Sequence, residues 1–380
     1  MSRKKKIRIL SLVAAAVSIM LISCITLFSS RPETMEWQTE TMCESLTEEQ
    51  IPETTAPDTV LFPEFPDEVL LCSAEAKQVY DGVLSMAEAA SSGDPYRPLV
   101  ISYRFKSGSG SLLLSEHPDM QKAVKYILDL ENTSITIDNL KTDTTYYYQV
   151  TAEGTSYFGS FHTAKSFRFV SLPGAVNTRD IGGYTNLDGK KIRQGLLIRG
   201  SELDGLEETR YFLRDDAIAS VKETFSFVYD LDLRNPHIYI GEYQSRLGEE
   251  VDHRFYDGPQ YGGIFQSYYT QRLRQAFVDL ADPEKYPMYL HCTYGADRTG
   301  TVIFLLQGLL NMSQEDMCRE YQLTAFERSG FLEQNGVDVI INGLNPYPGE
   351  TLQEKIEYFL TWEIGVKQSA IQSIREIYLE

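Results

Sequence analysis

The chain has 380 residues, 54 acidic and 35 basic, for a formal net charge of -19. So acidic an average surface repels nucleic acid and anionic headgroups, which excludes a general polyanion binder while leaving room for a local basic pocket. Hydrophobic residues make up 42%, enough for a chain of this length to bury more than one core.

Arg3, Lys4, Lys5, Lys6 and Arg8 precede an uncharged apolar run from Ile9 to Phe28. A basic flank before such a run is the pattern of an export signal. Residues 1–28 are long enough to act as an uncleaved signal anchor with the body of the protein outside the cell. Within the run, Leu21-Ile22-Ser23-Cys24 resembles a bacterial lipobox, so a lipid anchor stands beside it. The expected location is the outer face of a bacterial cell membrane, or alternatively the medium.

Residues 29–70 are rich in Thr, Glu and Pro over most of their length and cannot bury enough apolar area to order themselves, so a disordered stalk is expected. Ala74 to Ala90 carries helical periodicity. The five cysteines, Cys24, Cys43, Cys72, Cys292 and Cys318, show neither CxxC nor Cys/His metal-ligand spacing, and no metal or cofactor is expected. Cys43 and Cys72 could pair in an oxidising compartment; Cys318, in an amphipathic segment, reads as a core residue.

Residues 71–165 are expected to hold a small antiparallel sandwich with a short preceding segment. From Tyr96 to Thr163, alternating runs such as PLVISYRF, TSITIDNL and YYYQVTAEG are broken by Gly, Ser or Asp, the pattern of an all-β sandwich. The stretch ITIDNLKTDTTYYYQVTAEG resembles the late strands of a fibronectin type III domain, with Leu140 before the turn and Tyr148 in the place of the corner tyrosine. Such a module implies a protein partner. His117 and His162 are isolated and read as surface or structural groups.

Residues 166–380 alternate strand-like runs (GLLIRG, FSFVYDLDLR, YPMYLHC) with helical ones (FQSYYTQRLRQAFVDLA, TVIFLLQGLLN, SQEDMCREYQLTAFE). This predicts an open α/β sheet flanked by helices, with its ligand site beyond the carboxyl ends of the strands. Ser313 with Asp316, and Thr351 with Glu354, are spaced as helix caps.

The decisive stretch is YPMYLHCTYGADRTGTVIFLLQGLL, a strand running into His291 and Cys292, a six-residue loop, and an apolar helix from about Thr299. A loop of Thr293, Tyr294, Gly295, Ala296 and Asp297 between Cys292 and Arg298 can fold its backbone N–H groups around phosphate oxygens, with the helix dipole behind it. Gly295 permits the turn. The Arg298 guanidinium can hold two oxygens at once, and the same positive surroundings favour a Cys292 thiolate able to attack phosphorus. Thr299 can donate to the sulfur when the intermediate breaks down, and His291 is expected to order the loop. No Gly-Lys-Ser/Thr follows, so this is not a nucleotide-binding phosphate loop.

HCTYGADRTG resembles the HCxxGKDRTG signature of the tyrosine phosphatase-like family that includes secreted bacterial tyrosine and lipid phosphatases. NTRDIGGY (Asn177 to Tyr184) is similar to that family's NFRDLGGY, GLLIRGSEL to its GxLYRSxxL, and the strand ending DLDLR to its hydrophobic-Asp-Leu-Arg strand. The likeness covers about Ser171 to Glu380. It implies a cysteinyl-phosphate route with Cys292 as nucleophile and Arg298 as clamp, acting on a phosphorylated protein or a small phosphomonoester. The family lysine is replaced here by Ala296, which removes charge suited to a second phosphate and disfavours phosphoinositides.

Three carboxylates compete for the leaving-group proton. Asp232 is aligned by resemblance with the family's proposed acid. Asp297 sits in the loop, where a bound phosphate favours its protonated form, although it could instead orient Arg298. Asp230 lies two residues from Asp232, on the same strand face. Asp180 is expected to be structural beside the Gly182-Gly183 turn, Arg179 to pair with an acid or the substrate, and Arg234 to add charge at the pocket rim. A catalytically silent phosphate-binding surface protein is the rival reading from another class.

Overall fold

The computed structural model describes residues 98–103, 109–129, 134–152, 154–163, 165, 167–205, 211–236, 244–326 and 335–380. The leader, the stalk, the Ala74 to Ala90 segment and Cys24, Cys43 and Cys72 lie outside them. The described residues fall into two units that meet in sequence between Ser166 and Phe167.

The first unit contains β1 (Leu99–Ser102), β2 (Gly110–Ser115), β3 (Val124–Leu128), β4 (Ser134–Ile137), β5 (Thr145–Ala152) and β6 (Thr155–His162). Four strands form an antiparallel sheet in the order β3-β2-β5-β6, and β1 pairs antiparallel with β4. Alternation sends every second side chain inward. Leu112 and Leu114 of one sheet therefore share a core with Ile101, Ile135 and Ile137 of the other, the arrangement of a two-sheet sandwich.

Tyr146, rather than Tyr148, makes the corner contact. Its hydroxyl accepts from the Lys141 N–H at 2.8 Å, and its ring stacks on Phe161 at 5.6 Å. The two tyrosines share a strand face, so periodicity alone does not separate them; Tyr148 instead lies over Gly159, where a Cβ would fall 2.3 Å from its hydroxyl. His162 pairs with Asp143 at 3.2 Å and meets Thr145 at 3.0 Å, a surface role.

The second unit holds β7 (Arg179–Asp180), β8 (Leu197–Gly200), β9 (Tyr229–Asp232), β10 (Asp252–Phe255) and β11 (Met288–His291), in the order β10-β9-β11-β8-β7. The first four in that order are mutually parallel and β7 is antiparallel to β8. Its helices are α1 (Asp215–Phe225), α2 (Ser267–Leu280), α3 (Asp297–Leu309), α4 (Gln314–Gln322), α5 (Asn335–Leu344), α6 (Leu352–Tyr358) and α7 (Gln368–Tyr378). Strands β8, β9 and β11 are buried along their whole length, as parallel strands covered on both faces must be. Helix α3 is buried at every position from Thr299 to Leu309, which is why its sequence shows so little amphipathic pattern.

Both expected caps form. Ser313 accepts from the Asp316 N–H at the start of α4, and Thr351 with Glu354 makes a reciprocal capping box at α6. Cys318, in α4, is buried as a core residue would be and is disulfide-bonded. Among the described residues no helix is long and apolar enough to cross a membrane.

Candidate active site

Gly200, Asp232 and His291 stand side by side in register at the carboxyl ends of β8, β9 and β11. The chain leaving β11 enters the Cys292-to-Arg298 loop at the middle of the sheet and turns straight into α3. Cys292 is free and 2% exposed. The residue that caps α3 is Ala296, whose side chain offers no oxygen to the first turn. The amides that a Ser or Asp cap would occupy thus remain for a bound anion, with the positive end of the helix dipole behind them.

Gly295 is required on two counts. Its φ of +65° lies in the left-handed region, and a Cβ there would fall 2.4 Å from the Gly200 carbonyl oxygen. Arg298 folds back over the loop: Nη2 donates to the Thr293 hydroxyl at 3.2 Å and Nη1 to the Leu233 carbonyl at 3.4 Å. The guanidinium is only half-buried, so it can turn toward a phosphate without leaving a stranded charge. The Thr299 hydroxyl is fully buried and makes no hydrogen bond, which leaves it available as a donor in the first turn of α3.

Beneath the loop lies a buried basic cluster. Glu320 of α4 accepts from Arg179 Nε at 2.6 Å and from Arg199 Nη1 at 2.8 Å. Burial opposes its charge, but the two guanidinium groups hold its carboxyl below the usual range. Arg199 Nη2 donates to the Gly295 carbonyl, and Asn177 Nδ2 donates to the Tyr294 carbonyl at 3.1 Å. Arg179 is thus paired with an acid and buried. Asp180 braces the turn beside it: its oxygens accept from the N–H groups of Gly182 at 2.8 Å and Gly195 at 2.6 Å.

A second, acidic cluster sits at the ends of β8 and β9. Asp232 is fully buried, and Arg234 reaches it through Nε at 2.9 Å and its own N–H at 2.8 Å, while His253 Nε2 lies 3.2 Å away. Burial pulls the Asp232 carboxyl up, yet His291, His253 and Arg234 together hold it well below the usual carboxylate range. It therefore carries no proton to give near neutrality. Arg234 is not at an open rim: it is buried against Asp232, Glu202 at 2.9 Å and Asp204 at 2.7 Å. Asp230 lies beneath His291, at 3.0 Å from its Nε2.

His291 is the counterpart of these carboxylates. Burial would lower its pKa, but Asp232 and Asp230 raise it from 6.5 to about 9, so the ring is an imidazolium at neutral pH. Its Nδ1 then donates to the Cys292 carbonyl at 3.3 Å, which ties the base of the loop to β9. Donor atoms of Asp230, His253 and His291 lie within 4.8 Å of one another, a spacing that could hold a divalent cation.

Asp297 is placed differently. It is half-buried at the first position of α3, beside Arg298, and its Oδ1 accepts from the Tyr261 hydroxyl. Tyr261 is itself pinned to α3 by its N–H on the Thr301 hydroxyl, at 2.8 Å. The loop residue Tyr294 packs edge-on against Tyr211 at 5.6 Å. Of the site residues read from sequence, Cys292 to Ala296 form the loop and Asp297 to Thr299 the first turn of α3, while Asp232, Arg234 and Arg179 belong to the buried clusters that support them. Asn177 and Arg199 lay inside motifs already singled out but carried no assigned role. Glu320, His253 and Tyr261 gave no signal, because each arrives from a distant part of the chain.

Comparison with known proteins adds a family. A family model described as the tyrosine phosphatase family matches residues 170–238 and 244–380, more than half of the chain. No curated protein matches. Among solved structures, the core catalytic domain of the PP-IP phosphatase Siw14 from S. cerevisiae, in complex with citrate, is 17% identical, with 52% of this chain and 92% of that one covered and a TM-score of 0.30. A second Siw14 catalytic core structure is 20% identical, covering 44% of this chain and 82% of that one, with a TM-score of 0.27. The loop, its helix and the family match together make this chain a member of the tyrosine phosphatase family.

Proposed function

We propose that the chain hydrolyses phosphomonoesters through a cysteinyl phosphate on Cys292, and that its substrate is phosphotyrosine in protein. The observation that carries the reading is the loop itself: a free cysteine at the end of the central strand, uncapped amides on α3, and Arg298 folded over them. Cys292 attacks phosphorus, the loop amides and Arg298 hold the equatorial oxygens, and the tyrosyl oxygen leaves. Asp297 protonates that oxygen and then activates water against the phosphocysteine. Its half-exposed position and its contact with the Tyr261 hydroxyl support this over Asp232, whose oxygens are taken by Arg234 and His253. Tyr294 and Tyr211 offer an aromatic wall to an aryl leaving group. Ala296 in place of a lysine, with Glu202 and Asp204 nearby in the chain fold, supports a substrate with one phosphate rather than several.

The same reading places the protein outside the cell, held by the Met1-to-Phe28 segment as a signal or lipid anchor. The disulfide at Cys318 supports an oxidising compartment. The two-sheet unit, read as a fibronectin type III-like module, would contact a protein partner.

The test is phosphate release by the full chain from phosphotyrosine peptide, phosphoinositide and small phosphomonoesters, beside Cys292→Ser. Turnover on the peptide at a kcat/KM at least tenfold above the others, lost in the serine variant, supports the reading. Preference for an inositol lipid would transfer the activity to that class. No turnover on any substrate, with phosphate still bound, would leave a silent binding module.

A further inference from the structure

We infer that Glu320 is the positioning residue of the phosphate loop, acting through Arg199 and Asn177 to aim two backbone N–H groups at the transferring phosphoryl. The inference rests on the loop being a phosphate site, as proposed above.

The carbonyls of Tyr294 and Gly295 are both held from beneath, the first by Asn177 Nδ2 at 3.1 Å and the second by Arg199 Nη2. Among the described residues the only cis peptide is Tyr286-Pro287, so both of these peptides are trans. In a trans peptide the C=O and N–H point in opposite directions. Tethering the Tyr294 carbonyl downward therefore turns the Gly295 N–H up, and tethering the Gly295 carbonyl does the same for the Ala296 N–H. Neither N–H is spent on a backbone acceptor.

Both tethers lead back to one carboxylate. Glu320 fixes Arg199 directly, with both oxygens on Nη1 at 2.8 and 3.0 Å. It fixes Asn177 through Arg179, whose Nε donates to Glu320 and whose Nη1 donates to Asn177 Oδ1. That last bond also settles the amide orientation, since Oδ1 must accept from Arg179 for Nδ2 to face the loop. Arg179, Arg199 and Glu320 are all buried, at 1%, 0% and 1% exposure, so each depends on the others to offset the cost of burying its charge. The arrangement converts a buried ion cluster into a rigid aim for two oxyanion donors.

The test uses the full chain with Glu320→Gln, Arg199→Met and Asn177→Ala. Turnover of an aryl phosphate is normalised to intact Cys292, counted by mass spectrometry after iodoacetate labelling, and tungstate affinity is measured by calorimetry. Removing one oxyanion donor from a catalytic site costs about 10²–10³ in kcat. Glu320→Gln and Arg199→Met are each expected to lower kcat per intact site by about 10²-fold, more than they raise KM, and to weaken tungstate binding about tenfold. Asn177→Ala, losing one tether, is expected to lose about tenfold in kcat. A merely structural role would reduce the folded fraction and leave turnover per intact site and tungstate affinity within threefold of the parent, which would overturn the inference. If Glu320→Gln fails to fold, the other two variants decide by the same criteria. A parent that binds tungstate without turnover would sink the hydrolase reading, while the tungstate comparison still tests the positioning role.

Discussion

Two buried charge clusters support the same loop and are built in opposite proportions. At the ends of β8 and β9, four carboxylates (Glu202, Asp204, Asp230 and Asp232) surround Arg234, His253 and His291. Beneath the loop, one carboxylate, Glu320, serves two arginines. Where acid is in excess Arg234 and His291 are both taken up by carboxylates, and the cluster's product is rigidity: a His291 ring held to Asp230 and tied to the Cys292 carbonyl. Where base is in excess the guanidinium groups keep N–H groups to spare: one from Arg199 reaches the Gly295 carbonyl, and one from Arg179 orients Asn177 onto the Tyr294 carbonyl. Asp232, inside the acid-rich cluster, is fixed as an anion, whereas Asp297 belongs to neither cluster and is half-buried against Tyr261.

The largest effect should come from exchanging the two aspartates' roles experimentally. Asp297→Asn is expected to lower kcat on phosphotyrosine by about 10²–10⁴, the range of a lost general acid. On an ester with a very good leaving group, which needs no proton, the loss should shrink below tenfold. Asp232→Asn is expected to act on the fold instead. It leaves Arg234 and His291 short of a buried partner, which costs about 3–5 kcal/mol of stability, while kcat per folded molecule changes less than tenfold. Thermal melts beside kinetics distinguish the two; equal kinetic losses with unchanged melting would contradict the assignment.

The acidic cluster also predicts a pH window. The folded state raises His291 from 6.5 to about 9, so its charged form is favoured by folding. That stabilisation is complete below pH 6.5 and is lost as the pH climbs through about 9. Melting temperature should fall across that interval, and His291→Asn should flatten the fall. Asp232 and Asp230, both held low, act in the other direction: their contribution is present above the ordinary carboxylate range and disappears in acid. The smallest expected effect lies in the sandwich. Tyr146→Phe strands the Lys141 N–H and should cost about 1 kcal/mol, more than Tyr148→Phe; the reverse order would return the corner role to Tyr148.

The sequence made the loop legible because its chemistry is contiguous: Cys292, Gly295, Arg298 and the apolar helix lie within a single strand-loop-helix stretch. The strands β8, β9 and β11 and both helix caps were legible for the same reason, being local patterns. What was hidden depends on contacts across the fold. Glu320 sits in an ordinary helical segment and acquires its role only when α4 comes under Arg179 and Arg199. His253 and Tyr261 likewise reach Asp232 and Asp297 from other elements. Asp232 could be placed at a strand end from sequence, but its burial among cations could not be read there, and that burial decides its charge. The disulfide at Cys318 was equally out of reach, since pairing needs proximity that spacing does not encode.

The central claim is a covalent phosphate on Cys292, and rapid quenching tests it most directly. The full chain is mixed with phosphotyrosine peptide, stopped in acid within milliseconds and digested for mass spectrometry. The account predicts a phosphate on the peptide containing Cys292, accumulating in the parent, absent from Cys292→Ser and decaying as inorganic phosphate appears. Turnover that proceeds undiminished in Cys292→Ser, with no phosphocysteine in the parent, would contradict it.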